Sequence, residues 1–323
     1  MPESAEVTLT HLYLDTKLKN KWIQNISIIG GRYKRNSAIP GLNIFKKVLP
    51  LKIVCLNSCG KFMWFELEDK DHENYYILNT FGLSGRWSFE KDKNSNVLFE
   101  ILDDKTKKTY DLYFTDPRNF GTLQFTDKRK DLTDKLKKLA PDFLKTEFTE
   151  KEFYERYLTF LKKSKKRSEM PIIKILMGQQ ISNGLGSGLG NYLAPEILYR
   201  AKISPHRKLG DISKKEIYEL LKQIKYVTKL CYLTNDTGYM VHLKEFADNR
   251  LDNVKKGIYP DYHPDIKIKK NEKFSYQVYQ QKKDPLGNNV KAEIIIKSSK
   301  NKKAGKTDKE TGRTTYWVPN VQT

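Results

Sequence analysis

No stretch of this chain is apolar for the ~18 residues that a membrane-crossing helix needs, so no span is expected. No charged-then-apolar opening segment reads as a secretion signal. Cysteine is scarce. Cys55, Cys59 and Cys231 are an odd number without framework spacing, which points to a reducing compartment. Cys55 and Cys59 fall on an expected strand and at its end, with no second pair to complete a zinc site, and read as core or surface thiols. Histidine is also rare, at five residues, and no cluster of histidines or carboxylates suits a metal-dependent nuclease. Acid is outnumbered: 39 Asp and Glu face 60 Lys and Arg, a net charge of +21. That surplus favours a polyanionic partner, nucleic acid or an anionic membrane, although an AT-rich genome also enriches lysine.

What is present suggests two or three domains in 323 residues, with enough apolar content (38%) for real cores. Residues 5–19 read as a short helix. From 22 to 126 the chain reads as strands, among them IQNISIIGGRY, GKFMWFELED, NYYILNTFGLSGRW, NVLFEILDD and TYDLYFTD. Each is rich in aromatic and β-branched residues between turn formers, which predicts a sandwich or barrel. The charged stretch 127–148 reads as a connector. The middle reads as helical. Thr149 with Glu152, and Ser213 with Glu216, make capping boxes ahead of apolar residues at helical spacing. The cluster KKSKKR at 162–167 reads as a solvated helix end, with a nuclear address as the alternative. Strands are expected again in FSYQVYQQ, NVKAEIIIK and RTTYWVP. Residues 266–313 hold fourteen Lys/Arg against five Asp/Glu. The basic loop 297–312 reads equally as a phosphate-binding element or as a solubilising loop.

Two features carry chemistry. The chain opens Met1-Pro2-Glu3. Trimming of Met1 would leave Pro2 with a secondary α-amine, a group that titrates near ~7.7–8.0 and is partly neutral at physiological pH. Such an amine attacks carbonyl-like carbons and forms Schiff bases. Many chains start Met-Pro, so the terminus alone decides nothing. The second feature is Gly186-Ser187-Gly188-Leu189-Gly190-Asn191 ahead of an expected helix. Glycines there let backbone N–H groups approach a phosphate; a tight interhelical turn with Asn as cap is the plainer alternative.

Together these residues resemble the formamidopyrimidine-DNA glycosylase/endonuclease VIII family, over nearly the whole chain and in order. Pro2-Glu3 and Glu6 are similar to its Pro-Glu-x-x-Glu start, and Gly60-Lys61 to the region of its β-domain lysine. Phe81-Gly82-Leu83-Ser84-Gly85 is similar to its Gly-Met-Ser-Gly turn, and Asp116-Pro117-Arg118-Asn119-Phe120-Gly121 to its Asp-x-Arg-x-Phe-Gly loop. Asn191 is similar to its phosphate-binding asparagine, and Arg313 to the arginine at the tip of its C-terminal finger. Most members bind zinc there through two Cys-x-x-Cys pairs. In this chain those places fall at about 285–288 and at Val318 and Val321, without cysteine. The chain therefore looks like the zincless-finger, endonuclease-VIII-like branch, and most like giant-virus endonuclease VIII.

The resemblance implies an α+β fold: an N-terminal two-layer β-sandwich with flanking helices (1–127), a linker (128–148), a helix–two-turns–helix domain (149–270) and a zincless finger (271–323). It implies a base-excision-repair DNA glycosylase with AP lyase activity, binding damaged and preferably duplex DNA as a monomer, with no cofactor. Pro2 would attack C1′ of a flipped nucleotide, and Glu3 would protonate or polarise the sugar ring oxygen. Lys61, Asn191 and Arg313 would clamp phosphates. Leu83, Arg118 and Phe120 would fill the vacated space. Glu6 would face the lesion or support the site, with a helix N-terminal carboxylate as the equal alternative. Oxidised pyrimidines and ring-opened purines are the expected substrates, with 8-oxoguanine, or DNA binding without catalysis, as alternatives. Expected localisation is intracellular, in the nucleus or a viral factory if a virus of eukaryotes encodes the chain. Departures from the family pattern are Ser4-Ala5, Leu83, Thr80, Gly178 and a glycine-rich turn about three residues longer. The lesion-facing segment is expected within 240–270.

Overall fold

The computed structural model describes residues 2–35, 39–234, 246, 248–249, 252, 272–297 and 312–323. Met1, most of the expected lesion-facing segment and residues 298–311 of the basic loop lie outside them. The chain forms two compact units, residues 1–139 with 232–264, and residues 140–231 with 265–323.

The first unit opens with α1 (Ser4–Leu18) and β1 (Trp22–Ile28), then α2 (Gly31–Arg35) and α3 (Leu42–Val48). It continues with β2 (Leu51–Cys59), β3 (Phe62–Glu68), β4 (Asn74–Thr80), β5 (Arg86–Ser88), β6 (Ser95–Asp103), β7 (Lys108–Thr115), β8 (Thr122–Thr126) and α4 (Arg129–Lys138). The eight strands form an antiparallel sheet in the order β5-β7-β6-β1-β2-β3-β4-β8. Strands far apart in that order nevertheless touch. Trp87 of β5 lies 5.1 Å from the ring of Phe65 on β3, and Phe99 of β6 stacks 6.3 Å from Phe125 of β8. The sheet is thus folded over into two layers with the aromatic core between them, as the strand-rich sequence predicts. Trp87 sits at the centre, 1% exposed, and its indole N–H is satisfied by Asn79 Oδ1 at 3.1 Å.

On β4 both faces are apolar. Tyr75 and Ile77 point into the sandwich core, while Tyr76 and Leu78 pack outside it against Leu132 and Leu136 of α4. The first half of the 128–148 stretch is therefore a helix of this unit, whose i, i+4 leucines cover that outer face. Two further helices, α2 and α3, interrupt the region read as strands.

The second unit contains α5 (Glu150–Lys162), α6 (Lys165–Ser168), α7 (Ile172–Leu176), α8 (Leu193–Ala201) and α9 (Lys214–Thr234), whose last turn crosses the unit boundary. Both predicted capping boxes form. Thr149 Oγ1 accepts from the Glu152 amide at 3.2 Å, and Glu152 accepts from the Thr149 amide at 2.8 Å; Ser213 and Glu216 repeat this at 3.3 and 2.8 Å. Such caps contribute about 1 kcal/mol each. The unit ends in an antiparallel hairpin of β9 (Lys291–Lys297) and β10 (Gly312–Trp317), with a bulge between Arg313 and Thr314. FSYQVYQQ is not a strand. Residues 274–281 are irregular and turn backbone, because their amides are taken by a buried carboxylate described below rather than by a neighbouring strand. No helix among the described residues is long and apolar enough to cross a membrane.

Candidate active site and nucleic-acid interface

Glu3 is the N-cap of α1, in extended backbone. Its amide donates to Glu6 Oε2 at 2.9 Å, and its carboxylate accepts from the Glu6 amide, a reciprocal box. Pro2, Glu3, Ser4 and Glu6 are all buried. Of the two readings of Glu6, the geometry is that of the capping carboxylate, which fixes the backbone between it and Pro2. Ser4 and Ala5 occupy the first turn of α1, where Pro is tolerated but not required because those amides lack intrahelical partners. The helix starts directly after Glu3 in spite of this departure.

Lys61 belongs to the same end of the unit. Thr8 lies 3.5 Å from Ser58, His11 Nδ1 lies 2.8 Å from Ser58 Oγ, and the Leu56 amide donates to Asp15 at 2.7 Å. Moving back along α1 from Asp15 to Thr8 follows β2 forward from Leu56 to Ser58, so the helix start points toward the β2–β3 turn. That turn is Gly60-Lys61. Lys61, half-buried, thus sits in a two-residue hairpin turn, whereas the sequence reading places it in the strand GKFMWFELED.

The three expected space-filling residues come together at one place. Asp116, 2% exposed, accepts from Ser84 Oγ at 2.7 Å, the Gly121 amide at 2.5 Å and the Arg118 amide at 3.3 Å. This joins the turn carrying Leu83 to the loop carrying Arg118 and Phe120. Gly82 has φ +60°, and a Cβ there would lie 2.5 Å from the Phe120 carbonyl carbon, so the close approach of the two segments requires glycine. Arg118 is exposed and Phe120 is 61% exposed, while Leu83 is half-buried. A phenyl ring presented to solvent on a braced loop has no role in the core. Asn96, Arg32 and Asn119 brace the loop from behind. Asn96 Oδ1 accepts from the Asp116 amide at 2.6 Å, and Asn119 Oδ1 accepts from the Arg32 amide at 2.8 Å. Nothing in the sequence singles out Asn96 or Arg32, because their partners are 20 and 87 residues away.

In the second unit the glycine-rich turn is organised by Gln179. Its amide nitrogen donates to the carbonyls of Met177 and Leu189, both at 2.8 Å, and its oxygen accepts from the Gly188 amide at 2.9 Å. A Cβ on Gly178 would lie 2.1 Å from the carbonyl oxygen of Asn183. The Asn183 backbone of this turn thus occupies the space that a side chain at 178 would need. Asn191, half-buried, donates to the Thr314 carbonyl at 3.2 Å. It is tied to β10 one residue from the exposed Arg313, so the two expected phosphate clamps of this unit are neighbours.

The finger is held by carboxylates and apolar packing. Glu196 of α8, 1% exposed, accepts from the amides of Gln277, Val278 and Tyr279 at 2.8–3.1 Å. Burial pushes its pKa up more than those donors pull it down. Asp284 accepts from the Leu286 and Asn288 amides, Asn288 Nδ2 and the Tyr199 hydroxyl at 2.7–3.0 Å. Burial raises its pKa, but those donors win and hold it below the usual carboxylate range. Val318 packs with Tyr199 and Val278, flanked by Tyr316 and Val321. Glu293 joins His206 (2.7 Å) and the Trp317 indole N–H. Pro285, Leu286, Gly287, Asn288, Val318 and Val321 offer no thiolate or imidazole, so a structural zinc does not fit these positions.

Family models match the chain in three successive segments: the formamidopyrimidine-DNA glycosylase N-terminal domain over residues 1–123, its H2TH (helix–two-turns–helix) domain over 139–239 and its C-terminal domain over 264–323. The chain belongs to this family. Among similar proteins, the formamidopyrimidine-DNA glycosylase of Listeria monocytogenes is 31% identical over 233 residues, 70% of this chain and 77% of that protein. That of the Wolbachia of Brugia malayi is 29% identical over 231 residues, 70% and 76%. The fold is similar to Lactococcus lactis Fpg bound to DNA with an abasic site, with TM-score 0.69, 18% identity and 99% of each chain covered. It is equally similar to MutM bound to DNA containing carbocyclic 8-oxo-G, with TM-score 0.69, 19% identity and complete coverage of both chains.

Proposed function

We propose that this chain is a bifunctional DNA glycosylase and AP lyase of base-excision repair. The observation that carries the reading is the start of α1: a buried Pro2-Glu3 locked by Glu6, at the same end of its unit as the Lys61 turn. A member of this family with that terminus has its amine nucleophile and a carboxyl group in adjacent residues. After removal of Met1, the neutral amine of Pro2 attacks C1′ of a flipped, damaged nucleotide. Glu3 delivers a proton to the sugar ring oxygen, the ring opens and the base leaves. The iminium formed by Pro2 makes the 2′ proton acidic, and its loss expels the 3′ phosphate. A second elimination expels the 5′ phosphate, and hydrolysis frees the enzyme. Flipping costs a few kcal/mol, less for a damaged base. Arg118 and Phe120 offset it by filling the gap, since a guanidinium and a phenyl ring both stack on bases.

Borohydride trapping on abasic DNA tests the reading. A covalent adduct is expected with the Met1-free protein. Retaining Met1, which turns the Pro2 amine into an amide, must abolish it. DNA binding without any adduct would leave a non-catalytic binding protein. The zincless finger supports oxidised pyrimidines and ring-opened purines over 8-oxoguanine as substrates. A nicking panel of thymine glycol, 5-hydroxyuracil, a hydantoin, formamidopyrimidine and 8-oxoguanine decides that order.

A further inference from the structure

Behind the 116–121 loop, on the first unit, lies an open cleft of ≈ 360 Å³. Lys34, Arg35 and Lys93 stand on its rim, all exposed, and none of the three forms a salt bridge with a described residue. Among its described lining residues the one carboxylate, Asp116, is buried and already committed to Ser84, Arg118 and Gly121. Among the described residues the cleft therefore presents three cations with no free anion opposite them, beside the amide side chains of Asn94 and Asn119. No step proposed above uses them.

The position of the cleft is fixed relative to the loop. Asn119, with φ +58°, lies between Arg118 and Phe120. Its side-chain oxygen accepts from the Arg32 amide at 2.8 Å and Asn96 Nδ2 at 3.2 Å, and its carbonyl accepts from the Arg32 guanidinium at 3.3 Å. The cleft wall and the exposed phenyl ring are thus adjacent residues of one braced segment. If Arg118 and Phe120 enter the duplex where a nucleotide has left it, their tips face the unpaired base. The backbone carrying that base must then pass the loop close by. A duplex carries one charge per ~1.7 Å of axis, so a phosphate is always within reach of a cation cluster placed there.

We propose that Lys34, Arg35 and Lys93 hold a backbone phosphate of the strand opposite the damaged nucleotide. This rests on the reading that the 116–121 loop inserts into duplex DNA. It gives the protein a grip on the second strand, and with it a preference for duplex over single-stranded substrates.

The test compares full-length wild type with the K34A/R35A/K93A variant on a non-cleavable abasic-analogue duplex and on the damaged strand alone. Duplex affinity should fall about tenfold at moderate salt. The slope of log K against log salt should become shallower by ~0.9 per phosphate released. Affinity for the single strand should stay unchanged. Replacing single phosphates of the opposite strand by uncharged methylphosphonates should weaken wild type at one or two positions and leave the variant indifferent there. Equal losses on duplex and single strand, or an unchanged duplex slope, overturn the assignment. Because the analogue does not react, these readouts are independent of trapping: absence of a borohydride adduct sinks the proposed catalysis without touching this result.

Discussion

Glu3 and Pro2 divide the proposed chemistry between an acid and a nucleophile, and substitutions should separate them. Glu3→Gln is expected to slow excision of an intact damaged base by about 10²–10⁴-fold, the usual worth of a positioned general acid. Trapping on a preformed abasic site, where the base has already gone, should fall far less; single-turnover assays on the two substrates check this. Gly82→Ala should reduce duplex nicking while leaving the sandwich folded, because the added Cβ forces the Leu83 turn off the Phe120 loop. Similar losses on duplex and single strand would argue against a role in entering the duplex. At this scale the candidate residues were legible, since each sits in a short motif. Their supports were not. Asn96 and Arg32 act through folded contacts with distant residues, and nothing beside them in the chain marks them.

Helices and strands were legible where local rules suffice. The Thr149 and Ser213 capping boxes start α5 and α9, and aromatic and β-branched residues between turn formers give β3, β6 and β7. Reading failed where a tertiary partner overrides local preference. FSYQVYQQ has strand composition, but Glu196 takes three of its amides. Residues 129–138 looked like a charged connector because only the leucines that cover β4 are apolar. Glu196→Ala should therefore be among the most damaging finger substitutions. It strips three amides of their acceptor, and the one on buried Val278 alone costs about 1–3 kcal/mol; thermal unfolding of the variant measures the loss. The finger should also be acid-labile. Burial works against Glu293 as against Asp284, yet hydrogen bonds from His206 and Trp317 hold Glu293 below the usual carboxylate range. A lowered folded-state pKa gives stability that is complete above the unfolded value near ~4 and lost as pH falls through the folded one. Tryptophan emission should thus shift in that acidic window, and the shift should be missing in Trp317→Phe.

For the whole molecule, the excess of positive charge sets how DNA is found and held. Affinity for undamaged duplex should fall steeply with salt, in proportion to the phosphates contacted, and a nearly flat salt profile would contradict an electrostatic grip. Chelators should leave both DNA binding and thermal stability unchanged, because the finger contains no cysteine and is held by Asp284, Glu196 and Val318. That construction has a consequence under oxidative stress. The oxidants that damage bases also attack thiolates, carrying them to sulfenic and higher acids, and a Cys-zinc finger can lose its metal when demand for repair is greatest. A finger closed by carboxylates and valines has no thiolate to lose. Its hold on DNA should survive peroxide concentrations that disarm a zinc-dependent relative.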